Sequence, residues 1–210
     1  MRTNKLIKAK KTFILLVSLI FVFSFTGPFS SAYANQLNNA NKSFPENENL
    51  ASTQISERFA AINSTYNVGE PFSASDADFV SKYGVSPNEP SARGSHFFDV
   101  TGSGYGTTIR FYGTIYHNGT FNYTWGGDIN AYKYSGTLPQ QLALEIECTS
   151  YGAIGSGGIG IIYHQTIGNV SGSNPPTWSY SGFRNYSGTT ISYSLSAYCT
   201  VTTASGSFVL

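Results

Sequence analysis

Residues 107–134, TTIRFYGTIYHNGTFNYTWGGDINAYKY, predict the β-hairpin that decides the fold. β-Branched and aromatic residues lie on both sides of Asn118-Gly119, and an Asn-Gly pair favours a two-residue type I′ turn. Such a turn pairs positions whose numbers sum to 237, for example Tyr112 with Trp125. Because side chains alternate along a strand, the predicted hairpin collects aromatic residues on one face. They are Tyr112, Tyr116, Phe121, Tyr123 and Trp125, with Arg110 at the end of the face.

The opposite face of the first strand is apolar as well, since it carries Ile109, Phe111 and Ile115. Only one of the two faces needs to pack into a core. The aromatic face is therefore either core or a binding platform, and both interpretations stay open at the level of sequence. Tyrosine suits the second, because its apolar ring and polar hydroxyl fit a surface that meets water, sugars or lipid headgroups.

Residues 1–34 have the pattern of a secretion signal. A lysine-rich start precedes the apolar run TFILLVSLIFVFSF, which is short for a membrane span, and Ala32-Tyr33-Ala34 fits the small-x-small rule for cleavage. The segment resembles the secretion signals of Gram-positive bacteria, and an uncleaved anchor is the alternative. We expect cleavage after Ala34 and an exported, extracellular protein.

Removal of this segment changes the charge of the chain. The whole sequence has a formal charge of +1, but five basic residues leave with the signal, so seven remain against eleven acidic ones, a net charge of −4. So few lysines and arginines cannot supply the phosphate contacts of a nucleic-acid-binding protein. The same balance argues against electrostatic docking to anionic lipid.

The remaining chain divides into two parts by composition. Residues 35–95 are polar and acidic, with short helices predicted around Ile55, Phe59 and Ile62 and then from Ser75 to a left-handed stop at Gly84. This part is a packed extension, a propeptide or a spacer, and its apolar positions favour the packed extension. Residues 96–210 are nearly uncharged and form the predicted β domain.

Strands with one apolar and one polar face dominate the second part. Residues 142–149 alternate cleanly, and residues 191–202 alternate with the exception of Tyr198. No crossover helix is predicted after residue 96. Six to nine strands with frequent turn signals predict an antiparallel β-sandwich or barrel-like domain preceded by a short α-helical extension. Cys148 and Cys199 lie on apolar strand faces, and an even pair in an exported chain predicts one disulfide between them.

No pattern in the sequence identifies a catalytic site. His96, His117 and His164 lack the motifs of a nucleophilic triad or a zinc peptidase. Glu145 and Glu147 share a strand face about 7 Å apart, which is compatible with glycoside hydrolysis but is usually a solvated face. The catalytic residues stay unknown, and no metal or cofactor is predicted.

Three functions remain open from the sequence. The first is a secreted, non-catalytic β-sandwich that binds a glycan, cell-wall or lipid-headgroup ligand. The second is a membrane-active toxin or bacteriocin-like protein that inserts a hairpin containing residues 191–202, and the third is a secreted hydrolase. The sequence specifies neither the ligand nor the oligomeric state. The predicted ligand-binding residues of the first function are Tyr112, Tyr116, Tyr123, Trp125, Asp128 and Trp178.

Overall fold

The computed structural model describes residues 44–87, 94–155, 157–172 and 177–210. Helix α1 spans Ser52–Thr65 and α2 spans Ala74–Tyr83. The strands that follow are β1 (Gly94–Gly104), β2 (Thr107–Gly119), β3 (Asn122–Gly136), β4 (Gln141–Ala153), β5 (Ile159–Gly172), β6 (Thr177–Ser187), β7 (Thr190–Thr203) and β8 (Gly206–Val209). The predicted signal segment and the polar leader up to residue 43 lie outside the described residues.

The eight strands form two antiparallel sheets. Sheet I has the order β1-β2-β3-β6, and sheet II has the order β5-β4-β7-β8. The predicted fold class is confirmed, because the protein is mainly β and its helices precede its strands. Of the two architectures that the sequence allowed, a closed barrel is not seen, and the two sheets pack face to face across one core.

The pairing of β2 with β3 differs from the pairing that the Asn-Gly turn predicts. Asn118 and Gly119 lie inside the paired region, opposite Thr124 and Tyr123, and the chain turns after Gly119. Paired positions sum to 242 over most of the hairpin, so the predicted register of 237 is wrong. A shift by an odd number of residues moves the side chains of one strand to the opposite face of its partner.

The observed register brings the apolar residues of both strands onto one face. In the predicted register, the apolar residues of β2 and those of β3 would lie on opposite faces of the sheet. Each fully buried side chain contributes about 1.5–3 kcal/mol, and this sum outweighs the local turn preference of one Asn-Gly pair. The buried residues of this face are Ile109, Phe111, Ile115, Tyr123, Trp125, Ile129 and Ala131.

The inner face of sheet II completes the core. The even-numbered residues of β4 from Leu142 to Cys148 are all buried, as their alternation predicts, and Cys199 and Val201 of β7 join them. The odd-numbered residues of β4 point to the other side of the sheet. Glu145 and Glu147 therefore lie outside the core.

Both helices pack on the outer face of sheet II. Ile62 of α1 and Phe79 and Val80 of α2 form a second apolar cluster with Tyr151 and Ile161 of the sheet. Polar contacts fix the position of the helices, since Asn63 Nδ2 donates to Glu147 Oε1 at 3.1 Å and to Thr149 Oγ1 at 3.0 Å. Arg58 and Asp76 join α1 to α2 with an ion pair of 2.9 Å.

The ends of α2 differ from their prediction. Ser73, rather than Ser75, is the N-terminal cap, and its side chain accepts from the backbone N–H of Asp76 at 3.1 Å. Gly84 follows the last helical residue with φ −71°, so the predicted left-handed stop is wrong. The glycine is required by packing instead, because a Cβ at Gly84 would lie 2.6 Å from the side chain of Ser192.

Cys148 and Cys199 are both free, so the predicted disulfide is wrong. The two cysteines lie on adjacent strands and face the core, but Cys148 pairs with Leu195 and Cys199 with Leu144. Four residues of strand rise, about 13 Å, therefore separate them along the sheet. A disulfide requires Cα atoms within about 7 Å. The alternation of apolar residues correctly places both cysteines on the core face, but it does not determine how far apart they lie along the two strands.

We expect two thiols that react only after unfolding. Burial raises the pKa of the Cys199 thiol from 9.0 to about 12 and also raises that of Cys148. The thiolate fraction of Cys199 at pH 8 is thus about a thousandfold lower than in an exposed thiol. Iodoacetamide labelling followed by mass spectrometry should give no adduct in the folded protein and two in urea. An unlabelled chain lacking two hydrogens would instead demonstrate a disulfide.

Candidate binding face

Away from the register shift at Thr108 and Ile109, sheet I presents five aromatic side chains on the face turned away from the core. In the observed register, the outward-pointing residues of β1 and β6 are the odd-numbered ones. The outward-pointing residues of β2, and of most of β3, are the even-numbered ones. Phe97 is 70% exposed, Phe183 57% and Tyr132 43%, whereas Tyr112 and Tyr116 are half-buried. We call these five residues and the polar side chains between them the aromatic face.

A glycine lies between two rings in one row of the aromatic face, and we call this row the trough. Tyr116 of β2 pairs with Gly126 of β3, and Gly126 pairs with Phe183 of β6. Because Gly126 has no side chain, two strand spacings, roughly 10 Å, separate the backbones that carry the rings. A Cβ at Gly126 would lie 2.1 Å from the carbonyl oxygen of Gly182. Close pairing of β3 with β6 therefore excludes a side chain at this position, and Gly126 itself is buried.

Polar side chains line the next rows of the same face. Asp128 lies beside Gly126 along β3, opposite Thr114 on one side and Ser181 on the other. The exposed carboxylate of Asp128 makes no hydrogen bond to any residue in the described part of the chain. Its oxygens are consequently available to accept hydrogen bonds from a ligand.

Arg110 is held in place on this face. Its Nε and Nη2 atoms donate to the two carboxylate oxygens of Asp99, at 2.9 and 2.5 Å, and its guanidinium carbon lies 5.0 Å from the ring centre of Tyr112. The hydrogen bond lowers the pKa of Asp99 and raises that of Arg110. Both groups are exposed, so the pair adds little stability. Its effect is to fix the orientation of the ring and the guanidinium.

The structure separates the six predicted binding residues into two groups. Tyr112, Tyr116 and Asp128 lie together on the aromatic face. The other three are buried between the sheets: Tyr123, Trp125 and Trp178. Trp125 Nε1 donates to Tyr163 Oη at 3.1 Å, so its one polar group is satisfied inside the core. The three buried residues cannot contact a surface ligand.

A cluster of stacked rings fills one end of the core. His117, Tyr123 and Tyr186 come from sheet I, and Tyr163 and Tyr193 come from sheet II. The ring centre of His117 lies 3.8 Å from that of Tyr193, and Tyr163 and Tyr186 stack at 4.3 Å. Stacked aromatic pairs contribute about 0.5–1.5 kcal/mol beyond burial. We call these five residues the buried ring cluster.

Hydrogen bonds within this cluster satisfy its polar atoms. His117 Nε2 is 2.8 Å from Tyr186 Oη, which also contacts Ser150 Oγ and lies 3.3 Å from Thr190 Oγ1. Burial lowers the pKa of His117 to about 4, and only 2% of the residue is exposed. A neutral, buried imidazole without a carboxylate partner among the described residues does not fit a general base. His117 is part of the core.

The other catalytic candidates do not form a site. His96 and His164 are exposed on different sheets, and His164 Nδ1 lies 2.8 Å from Thr149 Oγ1. Glu145 and Glu147 point the same way from one strand, and Glu147 accepts the hydrogen bond from Asn63. Across the described ranges, no group of three His, Cys, Asp or Glu side chains is arranged to hold a metal.

The fold and this face define a class: a two-sheet antiparallel β-sandwich with N-terminal helices and one exposed aromatic sheet face. Comparisons of the chain with protein-family models, with curated proteins and with solved structures found no match. None of the helices in the described ranges is both long and apolar enough to span a membrane.

Phe97, Tyr132 and Phe183 were missed by reasoning from the sequence. Their strands alternate weakly, so nothing in the local pattern indicates which side of the sheet they occupy. The signal that could have identified them is the parity of the pairing. Once even positions of β2 are placed outside, the observed pairing assigns even positions of β3 and odd positions of β1 and β6 to the same face.

The fluorescence of Trp125 should report a buried indole. The chain has two tryptophans, so Trp178→Phe leaves Trp125 as the single reporter. Because Trp125 is fully buried and hydrogen-bonded to Tyr163, we expect blue-shifted emission and little quenching by acrylamide until urea unfolds the protein. Red-shifted emission that acrylamide quenches readily in the folded protein would support the register of 237 instead.

The stability of the protein should depend on pH through His117. Its pKa is lowered from 6.5 to about 4, so the unfolded chain binds the proton more tightly than the folded chain. The free energy of unfolding should therefore fall as the pH decreases from about 6.5 to about 4, with about 3 kcal/mol due to His117. Above pH 6.5 this contribution is fully present.

Urea unfolding of His117→Gln at pH 7 and pH 4 tests this expectation. At pH 7 the free energy of unfolding of the variant should be about 1–3 kcal/mol lower than that of the unmodified protein, because Tyr186 loses a buried hydrogen-bond partner. Its loss of stability between the two pH values should be about 3 kcal/mol smaller than that of the unmodified protein. The control His96→Gln changes an exposed histidine and should keep the full pH dependence. Equal pH dependence in all three proteins would contradict the assignment.

Proposed function

We propose that this chain is an exported, non-catalytic protein that binds a cell-wall glycan through the aromatic face of sheet I. The single observation that carries the proposal is the row Tyr116, Gly126, Phe183, in which a half-buried and an exposed ring flank a position without a side chain. Sugar rings have apolar faces that stack on aromatic side chains, and Tyr116 and Phe183 offer two such rings on strands whose backbones lie roughly 10 Å apart.

The polar groups beside the trough support the same ligand class. The carboxylate of Asp128 lies one row from Gly126, and the hydroxyls of Thr114 and Ser181 flank it on the neighbouring strands. Sugar hydroxyls both donate and accept hydrogen bonds, so a carboxylate between two hydroxyl side chains suits them. A ligand pocket of this kind combines apolar contact with a few placed polar groups.

The charge distribution favours a neutral glycan over an anionic lipid headgroup. Arg110 lies toward one end of the face, and its guanidinium is already paired with both oxygens of Asp99. The same pairing argues against hydrolysis, which needs two working carboxylates across the substrate. Among the described residues of the face, Asp128 is the one carboxylate without a partner.

Binding to purified Gram-positive peptidoglycan tests the proposal. Tyr116→Ala and Phe183→Ala should each weaken binding by about tenfold, because each removes one stacking wall worth about 1.4 kcal/mol. Asp128→Asn should weaken it as well, since the amide replaces one acceptor oxygen with a donor. Tyr105→Ala is the matched control, because Tyr105 is 53% exposed in the turn between β1 and β2 and outside the trough.

Two results would overturn the proposal. The first is equal binding by the unmodified protein, Tyr116→Ala and Phe183→Ala. The second is no binding to peptidoglycan or to chitin oligosaccharides together with dye release from phosphatidylglycerol vesicles. That second result would favour the membrane-active alternative, in which residues 191–202 would have to leave their place in β7.

A further inference from the structure

Strand β7 has an interrupted edge. One side of β7 pairs with β4 along its length. On the other side, β8 pairs with Thr200–Thr203, Leu210 pairs with Cys199, and Val85 forms an isolated bridge with Tyr193. Between these partners, residues 194–198 have no strand beside them within the described part of the chain. Exposed strand edges bind other strands readily, so proteins usually cover them.

The backbone of this gap points hydrogen-bonding groups outward. Cys199 exchanges two backbone hydrogen bonds with Leu210, both 3.1 Å, and Tyr193 exchanges two with Val85, at 2.9 and 3.0 Å. In an antiparallel pair, every second residue of a strand makes such bonds on the same side. Leu195 and Ala197 lie between these two residues at the same parity. Their N–H and C=O groups therefore point to the open edge.

A cleft of about 420 Å³ follows this edge. It reaches both faces of β7, because its wall on the outer side comes from Phe59 and Ala60 of α1, whereas its inner wall comes from Phe98 and Val100 of β1 together with Leu210. A strand placed beside β7 would thus find contacts for both rows of its side chains. An exposed sheet edge without walls offers only its backbone.

We propose that the gap at residues 194–198 is a strand-addition site for an extended segment of a partner polypeptide with alternating apolar and basic side chains. Five residues of strand span about 17 Å, so the occupant is a segment of about five residues between the ends supplied by Val85 and Leu210. Main-chain hydrogen bonds provide affinity in this mode of recognition, and pockets for alternate side chains provide specificity. By continuity with β8, the added strand runs antiparallel to β7.

The two rows of the added strand meet different surroundings. Residues directly opposite Leu195 and Ala197 point toward the inner wall, where Phe98 and Leu210 favour apolar side chains. The alternate residues point toward α1 and Glu147. Glu147 is the one charged side chain that lines the cleft. Charge complementarity therefore selects basic side chains in this second row.

This site is separate from the aromatic face. It lies at the edge of sheet II, whereas the proposed glycan trough crosses the outer surface of sheet I. Neither Leu195 nor Ala197 contributes to that surface. The inference consequently does not rest on the proposed function, and the two can fail independently.

Binding of synthetic peptides to the full mature chain tests the inference. The probe is a fluorescently labelled TVKVKVT peptide, and its charge-reversed counterpart is TVEVEVT. Fluorescence anisotropy should show saturable one-to-one binding of the lysine peptide and at least about tenfold weaker binding of the glutamate peptide. Glu147→Gln keeps an acceptor for Asn63 and should reduce this preference to about threefold or less.

Changes in the protein and in the peptide both test whether the two backbones pair. Ala197→Pro removes an N–H that faces the gap, and proline is tolerated at such edge positions. This substitution should weaken binding of the lysine peptide by at least about tenfold and leave peptidoglycan binding unchanged. N-methylation of the central valine of the peptide should do the same, because that residue pairs with β7. N-methylation of a lysine, whose N–H points away from β7, should change affinity by less than about threefold.

Several outcomes would overturn the proposal. One is no saturable binding of TVKVKVT up to about 1 mM. Another is equal weakening by both N-methylated peptides, which would mean that β7 does not pair with the peptide. The N-methyl comparison leaves the protein unchanged, so it remains decisive if Ala197→Pro does not fold. Dimerisation of the chain that Ala197→Pro abolishes would assign the gap to a second copy instead.

Discussion

The register of β2 against β3 is the constraint on which the rest of the structure depends. With paired positions summing to 242, the apolar positions of both strands enter the core together, and Trp125 meets Tyr163 of the opposite sheet. The same parity leaves Tyr112 and Tyr116 outside. A register shifted by one residue would exchange these sets and expose the apolar side of one strand, at about 1.5–3 kcal/mol for each side chain. Core and candidate surface are therefore two consequences of one pairing.

The buried ring cluster then fixes how the two sheets face each other. Burying a hydroxyl or an imidazole costs free energy unless it is hydrogen-bonded, and the contacts of His117 and Tyr186 include Ser150 of the opposite sheet. Apolar packing alone tolerates small sliding of one sheet on the other, whereas these directed bonds do not. Desolvation raises the pKa of Tyr193 to about 12 and lowers that of His117 to about 4, so the cluster stays uncharged near neutral pH. A charged member would oppose the packing that the cluster stabilises.

The parts of the fold that the sequence predicts are the local ones. Alternation in β4, helical spacing around Phe59 and the absence of crossover helices identify the class and the elements. The register of the hairpin could not be predicted, because an Asn-Gly turn is a local preference and the competing apolar match spans both strands. The predicted disulfide was wrong for a similar reason. Alternation determines the face of the sheet on which each cysteine lies, but the distance between the two cysteines along the sheet depends on the pairing of β4 with β7. For the candidate site, the sequence predicts Tyr112, Tyr116 and Asp128 as binding residues, but the predicted register places Asp128 on the face opposite the two tyrosines. Phe183 joins them only through non-local pairing across Gly126.

The helices explain why the two outer surfaces of the sandwich differ. They pack on sheet II around Tyr151 and Ile161, where an apolar cluster and the contacts of Asn63 hold them. Sheet I has aromatic side chains outside but no comparable partner among the described residues, so its rings meet solvent. Contiguous exposed apolar patches, unlike single exposed side chains, often mark interaction sites. The same helices also shape the edge of sheet II, because α1 supplies one wall beside β7 without supplying a strand. An edge that has walls but no pairing partner is suited to reversible pairing, whereas β8 and Val85 limit its length and thereby oppose open-ended association of sheets.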